Sequence, residues 1–392
     1  MALLVTGADG YIGWPLLLRL ARQFPHEDVI GVDHGGRRTW ISEVGSDSFL
    51  PIASMEARIE AAHALGFSNL QLLHRDLTSR AEVYDLMRDF APRVVFHLAA
   101  QPSAPYSQLS ADHAAYTQQN NTDITRNLLW AIHELQPQTH LVITTTTGIY
   151  GAPDLPIPEG WLEVDTPAGK KTKLPWPPMA TSWYHMSRGQ DALNLWLAHF
   201  QWRLSITEVR TAIVVGPQTT ETAMEPTLNT RCDADFYFGV VAHRFAAQAV
   251  LGEPLTIFGA GKQEKPFISL EDTVTSLAAA AALPVDGQLR IFNQYEEAVT
   301  INALAEKVQD TAKKLGIDVR LQHTANPRVE REEHRLAMSN GAFVQHLLPQ
   351  SQQSVTEALS EALRAFAQQR KHVATLQQSL LPLNERSSTT TP

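Results

Sequence analysis

A doubly wound parallel α/β sheet is the fold class this sequence predicts, and three observations predict it. Candidate strands recur at residues 2–6, 29–33, 70–73, 94–98, 141–145 and, later, 205–210. Amphipathic helical repeats lie between them, as at 81–90 and 114–134. Gly7, Gly10 and Gly13 follow the first apolar run directly. Strands alternating with helices give a parallel sheet covered on both faces.

The first element is the most informative. Ala2-Leu3-Leu4-Val5 runs into Thr6-Gly7-Ala8-Asp9-Gly10-Tyr11-Ile12-Gly13, and a helix pattern through Leu16, Leu17, Leu18 and Leu20 follows. Gly7 permits the tight turn, Gly10 lets backbone approach a pyrophosphate, and Gly13 lets the helix pack on the strand. The second strand ends in Asp33, twenty residues after Gly13. An acidic residue there accepts hydrogen bonds from an adenosine ribose, which favours NAD. The architecture predicted is therefore Rossmann-type, with the turn residues Gly7, Asp9, Gly10, Tyr11, Ile12 and Gly13, then Asp33 and Arg37, against the cofactor. The alternative is an ordinary βαβ turn with no ligand.

Bulk properties bound the rest. The chain has 392 residues, 44% of them hydrophobic, and a formal net charge of -9. Its basic runs stop at 37–38 and 170–171, so nucleic acid is not an expected partner. Cys232 is the single cysteine, which excludes an intramolecular disulfide and a thiolate cluster. No metal site is expected. No apolar run reaches the length of a membrane span. The chain enters its first strand without a basic leader, and a cytoplasmic protein is expected.

The later elements are less regular. Residues 34–66 read as an insertion after the second strand, helical near 55–65. Residues 152–178 hold seven prolines and read mostly as loop. Helices are expected at 240–251, 273–283, 302–315 and 353–369. The domain reading is a dinucleotide-binding unit over 1–210, with the 34–66 and 152–178 insertions. A smaller mixed α/β C-terminal substrate lobe over 211–383 interleaves partly with it. A polar, disordered tail is expected over 384–392.

The strand ends carry the candidate chemistry. Asp76-Leu77 follows the third strand, where Asp76 could meet an adenine amine or cap a helix. His97-Leu98-Ala99-Ala100 ends the fourth with small residues, which suits a crowded backbone. Thr144, Thr145, Thr146 and Thr147 end the fifth, at the sheet edge where α/β folds bind ligands. Tyr184 and Arg188 stand one turn apart on the next helix. A cation there can lower a phenol's pKa, so that Tyr184 acts as a base with a threonine hydroxyl beside it.

With these residues the chain resembles the extended short-chain dehydrogenase/reductase (NAD-dependent epimerase/dehydratase) family over about residues 1–345. Within it, the chain is most similar to the UDP-sulfoquinovose synthases. The segments that carry this are 33–38, Leu50-Pro51-Ile52-Ala53-Ser54, Ser103-Ala104-Pro105-Tyr106-Ser107, Tyr116-Thr117-Gln118-Gln119-Asn120-Asn121, 235–245, Phe292-Asn293-Gln294 and 326–334. The resemblance implies a bound NAD that takes a hydride from C4 of a UDP-hexose. In the synthases the 4-ketone acidifies the C5 proton, water leaves C6, sulfite adds there, and the hydride returns. By position, Tyr184 is the base, Thr146 its hydrogen-bond partner at the C4 oxygen, and Arg188 replaces a lysine that holds the nicotinamide ribose. Leu98, Ala99, Ala100 and Asn121 fall among the cofactor residues. Ser103, Thr147, Arg231, Arg244, Gln263, Arg328 and Glu330 fall among the substrate residues. A homodimer through helices near 114–134 and 184–200 is also implied.

The chain departs from the family at several places. Ala100 and Pro102 stand where the synthases carry a glutamate and an arginine, and Ile149 where they carry a second glutamate. Thr147-Gly148 replaces the Asp-Glu pair of the 4,6-dehydratases. Three other readings follow: a UDP-sugar 4-epimerase, a dehydrogenase or ketoreductase on a non-sugar substrate, and a non-catalytic NAD-binding regulator.

Overall fold

The computed structural model describes residues 1–153, 155–327 and 333–386. The first strands are β1 (Ala2–Thr6), β2 (Asp28–Asp33), β3 (Leu70–His74), β4 (Val94–His97) and β5 (His140–Thr146). With Ile206–Thr211 and Leu289–Gln294 they form one seven-stranded sheet. Its order is Leu289–Gln294, Ile206–Thr211, β5, β4, β1, β2, β3, and every pairing is parallel. The chain winds outward in both directions from β1, so the order reverses between β1 and β4. That reversal opens a crevice at the carboxyl ends of the strands.

Alternating side-chain direction along fully buried strands sets the two layers. Leu3 and Val5 of β1 point to one face, where Leu16, Leu17 and Leu20 of helix α1 (Gly13–Gln23) pack on them. Leu4 points to the other face. There it shares a core with residues of α4 (Arg80–Phe90), α5 (Ala111–Leu135) and α6 (Trp183–Trp202), including Leu86, Leu128 and Leu195. Two helices, α2 (Gly36–Glu43) and α3 (Met55–Ala64), precede α4 in the segment after β2.

The C-terminal half builds the lobe. Lys262–Ser269 pairs in parallel with Ile213–Val215 and antiparallel with Glu297–Thr300, and Leu255–Phe258 pairs with Leu321–Thr324. Helices Val241–Leu251, Ile301–Lys314 and Val355–Gln368 bury a separate apolar cluster around Phe245, Leu304 and Phe366. Strand Leu289–Gln294 leaves the lobe and closes the edge of the central sheet beside Ile206–Thr211.

Three segments differ from the sequence reading. Helix α2 forms where only loop was read, because just Trp40 and Ile41 of its eight residues are buried and no apolar period betrays it. The proline-rich segment contains the antiparallel pair Leu162–Asp165 and Lys171–Leu174, whose residues are almost all exposed and half of them charged. Residues 384–386, assigned to a disordered tail, are structured: Arg386 donates to the carbonyls of Val44 at 2.5 Å and Leu381 at 3.0 Å. Residues 387–392 lie outside the described residues. Among the described residues no helix is long and apolar enough to cross a membrane.

Candidate active site

The glycine turn is built by close approach. Gly7 has φ +75° and donates to Val32 O at 2.9 Å. A Cβ on Gly7 would lie 2.7 Å from the amide nitrogen of Ala99, and one on Gly13 only 2.0 Å from Gly7 O. Backbone presses on both positions, so neither neighbour can yield. Helix α1 begins at Gly13 with no side chain capping it. Trp14 donates its N–H to Gly10 O at 3.3 Å and Pro15 has none, so the N–H groups of Tyr11, Ile12 and Gly13 are the ones the turn can offer an anion. This cradle fits a dinucleotide pyrophosphate.

Asp33 closes the far side. Its Oδ2 accepts from the Asp9 N–H at 2.9 Å and its Oδ1 from the Gly35 N–H at 2.7 Å. Burial pushes its carboxyl up. The partner His34 and the two N–H donors outweigh burial and hold it below the ordinary carboxylate range. His34, 3.8 Å away, is correspondingly raised. Asp76 accepts from the Thr78 N–H at 2.9 Å and its hydroxyl at 2.8 Å, so it makes a local turn. The cap of α4 is Ser79, not Asp76.

At the other end of the crevice stand Tyr184, Arg188 and Thr146. Ser182 caps α6 by accepting the His185 N–H at 3.1 Å, and Ser107 accepts the Tyr184 N–H at 3.2 Å. These bonds fix the first turn of α6 against the end of β5. The Thr146 side chain lies beside the phenol and favours its ionised form. Burial raises the phenol above its ordinary value; Arg188 and Thr146 draw it down, and Asp191 pushes it up. Arg188 thus acts in the expected direction, while desolvation of a phenolate exceeds the attraction of one paired guanidinium.

These groups line one cleft of about 440 Å³. Gly7, Gly10, Tyr11, Ile12, Gly13 and Asp33 border it on one side. Asp76, Leu77, Leu98, Ala99 and Ala100 border it next, and Thr146, Tyr184 and Arg188 complete the wall under the lobe. From the substrate set, Ser103, Arg244 and Gln263 also face it. Gln263 is 3% exposed and its Oε1 has no hydrogen-bond partner. The guanidinium of Arg244 lies 4.4 Å from the Phe258 ring centroid. Ser103 is already engaged, donating to Tyr237 O at 2.5 Å.

Other expected residues sit elsewhere. The Asp9 carboxylate is buried away from the cleft, paired with Arg38 and Arg58 at 2.6 Å each. Only its N–H serves the site, through Asp33. Asn121 lies beneath the cleft, accepting the Gln101 N–H at 2.8 Å and donating to Ser187 Oγ at 2.9 Å. It supports the site without lining it. Thr147 starts a short 3₁₀ turn, its hydroxyl donating to Thr211 O at 3.4 Å. Arg231 is buried 3.4 Å from Asp233. Arg37 borders the cleft, but Asp233 takes its fork at 2.5 Å and the Phe238 ring lies under it. Arg328 and Glu330 lie outside the described residues.

Several participants were not legible in the sequence. Lys265, Phe238 and Phe258 reach the cleft from the lobe. Asp191 lies under Arg188, three residues on along α6, and that spacing was the only available signal. Ile149 is fully buried in a cluster with Tyr150, Ile157 and Trp176, so the place of a synthase glutamate is dry here. Asp33 and Asp76 are the carboxylates that line the cleft among the described residues.

The profile of the NAD dependent epimerase/dehydratase family matches residues 3–293. The chain belongs to this family. It is 38% identical to the chloroplastic UDP-sulfoquinovose synthase of Spinacia oleracea over 332 residues, 84% of this chain and 68% of that one. Identity to UDP-sulfoquinovose synthase of Sulfolobus acidocaldarius is 39% over 338 residues, 85% of this chain and 84% of the other. In fold it resembles UDP-glucose 4-epimerase of Thermotoga maritima, with TM-score 0.68 at 20% identity over 94% of this chain and 100% of that one. Family members use NAD, and the glycine cradle with Asp33 beside it fits that cofactor.

Proposed function

We propose that this protein is an NAD-dependent enzyme that transiently oxidises C4 of a UDP-hexose, as its UDP-sulfoquinovose synthase relatives imply. One observation carries the reading: Tyr184, Thr146 and Arg188 meet at the carboxyl edge of the sheet, in the same cleft as the glycine cradle. Gly7, Gly10, Asp33 and Arg188 would hold NAD, which when bound accepts and returns a hydride. Tyr184 takes the proton of the C4 hydroxyl, and Thr146 orients the phenol oxygen. Arg188 steadies the phenolate by its charge. Arg244, Gln263 and Lys265 bind the sugar nucleotide from the lobe, a guanidinium and an ammonium both suiting phosphate.

A second reading, a 4-epimerase, is favoured by the absence of a carboxylate beside Tyr184 among the described cleft residues. A C5–C6 elimination needs a base and an acid there, whereas epimerisation needs only C4 chemistry. Mass spectrometry of UDP-glucose incubated with the protein and NAD, with and without sulfite, separates them. A sulfite-dependent sulfonated sugar supports the synthase reaction. An epimer formed without sulfite supports the 4-epimerase. No conversion of UDP-glucose would overturn both.

The protein is also proposed to be a homodimer. Trp183, Met186, Leu193, Leu197 and Phe200 are exposed along α6 at helical spacing, and Trp130 is exposed on neighbouring α5. Such a stripe marks a contact face. A cytoplasmic location is proposed from the single, buried Cys232, and cell fractionation tests it.

A further inference from the structure

Arg188 stands where the family carries a lysine, and its surroundings show what accompanies the change. Its Nη1 donates to Asp191 Oδ2 at 2.8 Å. Its Nη2 donates to the main-chain carbonyl of Thr144 on β5. The two side chains are 2% and 0% exposed. The Thr125 side chain of α5 lies beside Asp191 and favours its ionised form. Thr125 Oγ1 lies 3.2 Å from His97 Nε2, and His97 Nδ1 lies 2.7 Å from Thr6 Oγ1. A line of buried polar side chains thus passes beneath the cleft from the end of β1 to Arg188. A guanidinium gripped on two sides has one orientation, whereas an ammonium is a point charge that swings on its stem.

We propose that Asp191 is a positioning residue that fixes the Arg188 fork against β5 and sets how strongly its charge acts on the Tyr184 phenol. This rests on the reading of Tyr184 as the base. Burial pushes the Asp191 carboxyl up to about 6 while Arg188 draws it down, so at neutral pH it is mostly ionised and offsets the guanidinium. The charged and titratable groups around the pair are few. Tyr184 shares the helix, Glu208 faces Asp191 from Ile206–Thr211, and His97 meets it through Thr125. Glu208 is already engaged by Arg210 at 3.0 Å and Thr145 at 2.7 Å. His97 is held neutral by burial and by Arg188. Asp191 is therefore the counter-ion that Arg188 has to itself.

The experiment is a pH titration of phenolate absorbance on the full-length protein, each variant read against its own Tyr184→Phe counterpart. In Asp191→Asn the guanidinium is uncompensated, and the Tyr184 midpoint is expected at least about one pH unit below wild type. Asp191→Glu should keep the wild-type midpoint. The acid limb of any UDP-sugar turnover, where Tyr184 must lose its proton to act as base, should move with the phenol. A folded Asp191→Asn protein with a wild-type midpoint overturns the proposal, and so does a Glu variant as displaced as the Asn variant. Should Asp191→Asn not fold, the double variant Arg188→Lys/Asp191→Ser keeps a cation without a buried carboxylate. Its midpoint is expected below wild type, and one at or above wild type overturns the proposal. A phenol that shifts as expected in a protein that turns over no UDP-sugar upholds Asp191 and removes the proposed reaction instead.

Discussion

The His185 imidazole lies against the α-carbon of Gly148: a Cβ added at Gly148 would sit 2.3 Å from His185 Nε2. His185 Nδ1 is 3.0 Å from Ser182 Oγ, so the ring is tied to the helix cap. Gly148 is one of the two positions at which the resemblance expects the dehydratase carboxylates. The glycine there makes room for an imidazole, and a longer side chain would displace it. Gly148→Ala is expected to destabilise the protein by about 1–3 kcal/mol through overpacking. Adding His185→Ala should recover most of that loss. A thermal-unfolding cycle of the two single variants and the double variant checks the coupling, and additive effects would refute it.

The glycine cradle makes a second prediction. In Gly13→Ala the new methyl meets the Gly7 carbonyl, and both belong to backbone pinned by β1 and α1. Affinity for NAD should fall at least about tenfold, with a stability loss of about 1–3 kcal/mol. Calorimetric titration with NAD measures the first effect and thermal unfolding the second. Undiminished affinity would remove the cradle from the cofactor site.

Tyr184→Phe tests the base. The phenol oxygen is lost and the ring that lines the cleft is kept. Turnover is expected to fall by about 10²–10⁴-fold with NAD affinity nearly unchanged. Wild-type turnover in this variant is the outcome that sinks the assignment.

Three buried imidazoles predict an acid limb of stability. Burial lowers His97 to about 3 and His140 and His243 to about 4, with Arg188 adding to the effect at His97 and Arg290 at His140. Each folded-state value lies below the ordinary 6.5, so the unfolded chain binds more protons and stability rises with pH. Their contribution is complete above about pH 6.5 and is lost as pH falls toward 4. Each imidazole adds at most about 1.4 kcal/mol per pH unit in that window. Melting temperature measured from pH 7.5 to 4.5 should fall across it, and His140→Asn should flatten the slope. An unchanged slope in that variant would count against His140.

The exposed stripe on α6 predicts the last outcome. Phe200 is 67% exposed and stacks on Trp196 at 5.5 Å. Leu197→Glu with Phe200→Glu should weaken self-association at least about tenfold by placing charge on an apolar contact. Analytical ultracentrifugation distinguishes this from a wild-type chain that is already monomeric, which would remove the dimer.

What the sequence alone determined is local and periodic. The short apolar runs, the amphipathic repeats and the three glycines were enough for the parallel sheet and its crevice. The reason is that strand pairing, helix packing and phosphate approach each constrain residues close together in the chain. Tyr184 and Thr146 were legible because a helix start and a strand end must both face the sheet edge. Helix α2 and the Leu162–Asp165 hairpin were not, since neither buries enough to leave a pattern. Tertiary structure decided everything that depends on distant partners. It removed the Asp9 carboxylate to a pair of arginines, engaged Arg37 with Asp233, and buried Ile149 in a dry cluster. It also brought Thr6, His97 and Thr125 into line with Asp191. A charge's strength depends on which counter-ion and how little water lie beside it, and residues 91 positions apart meet only in the folded chain.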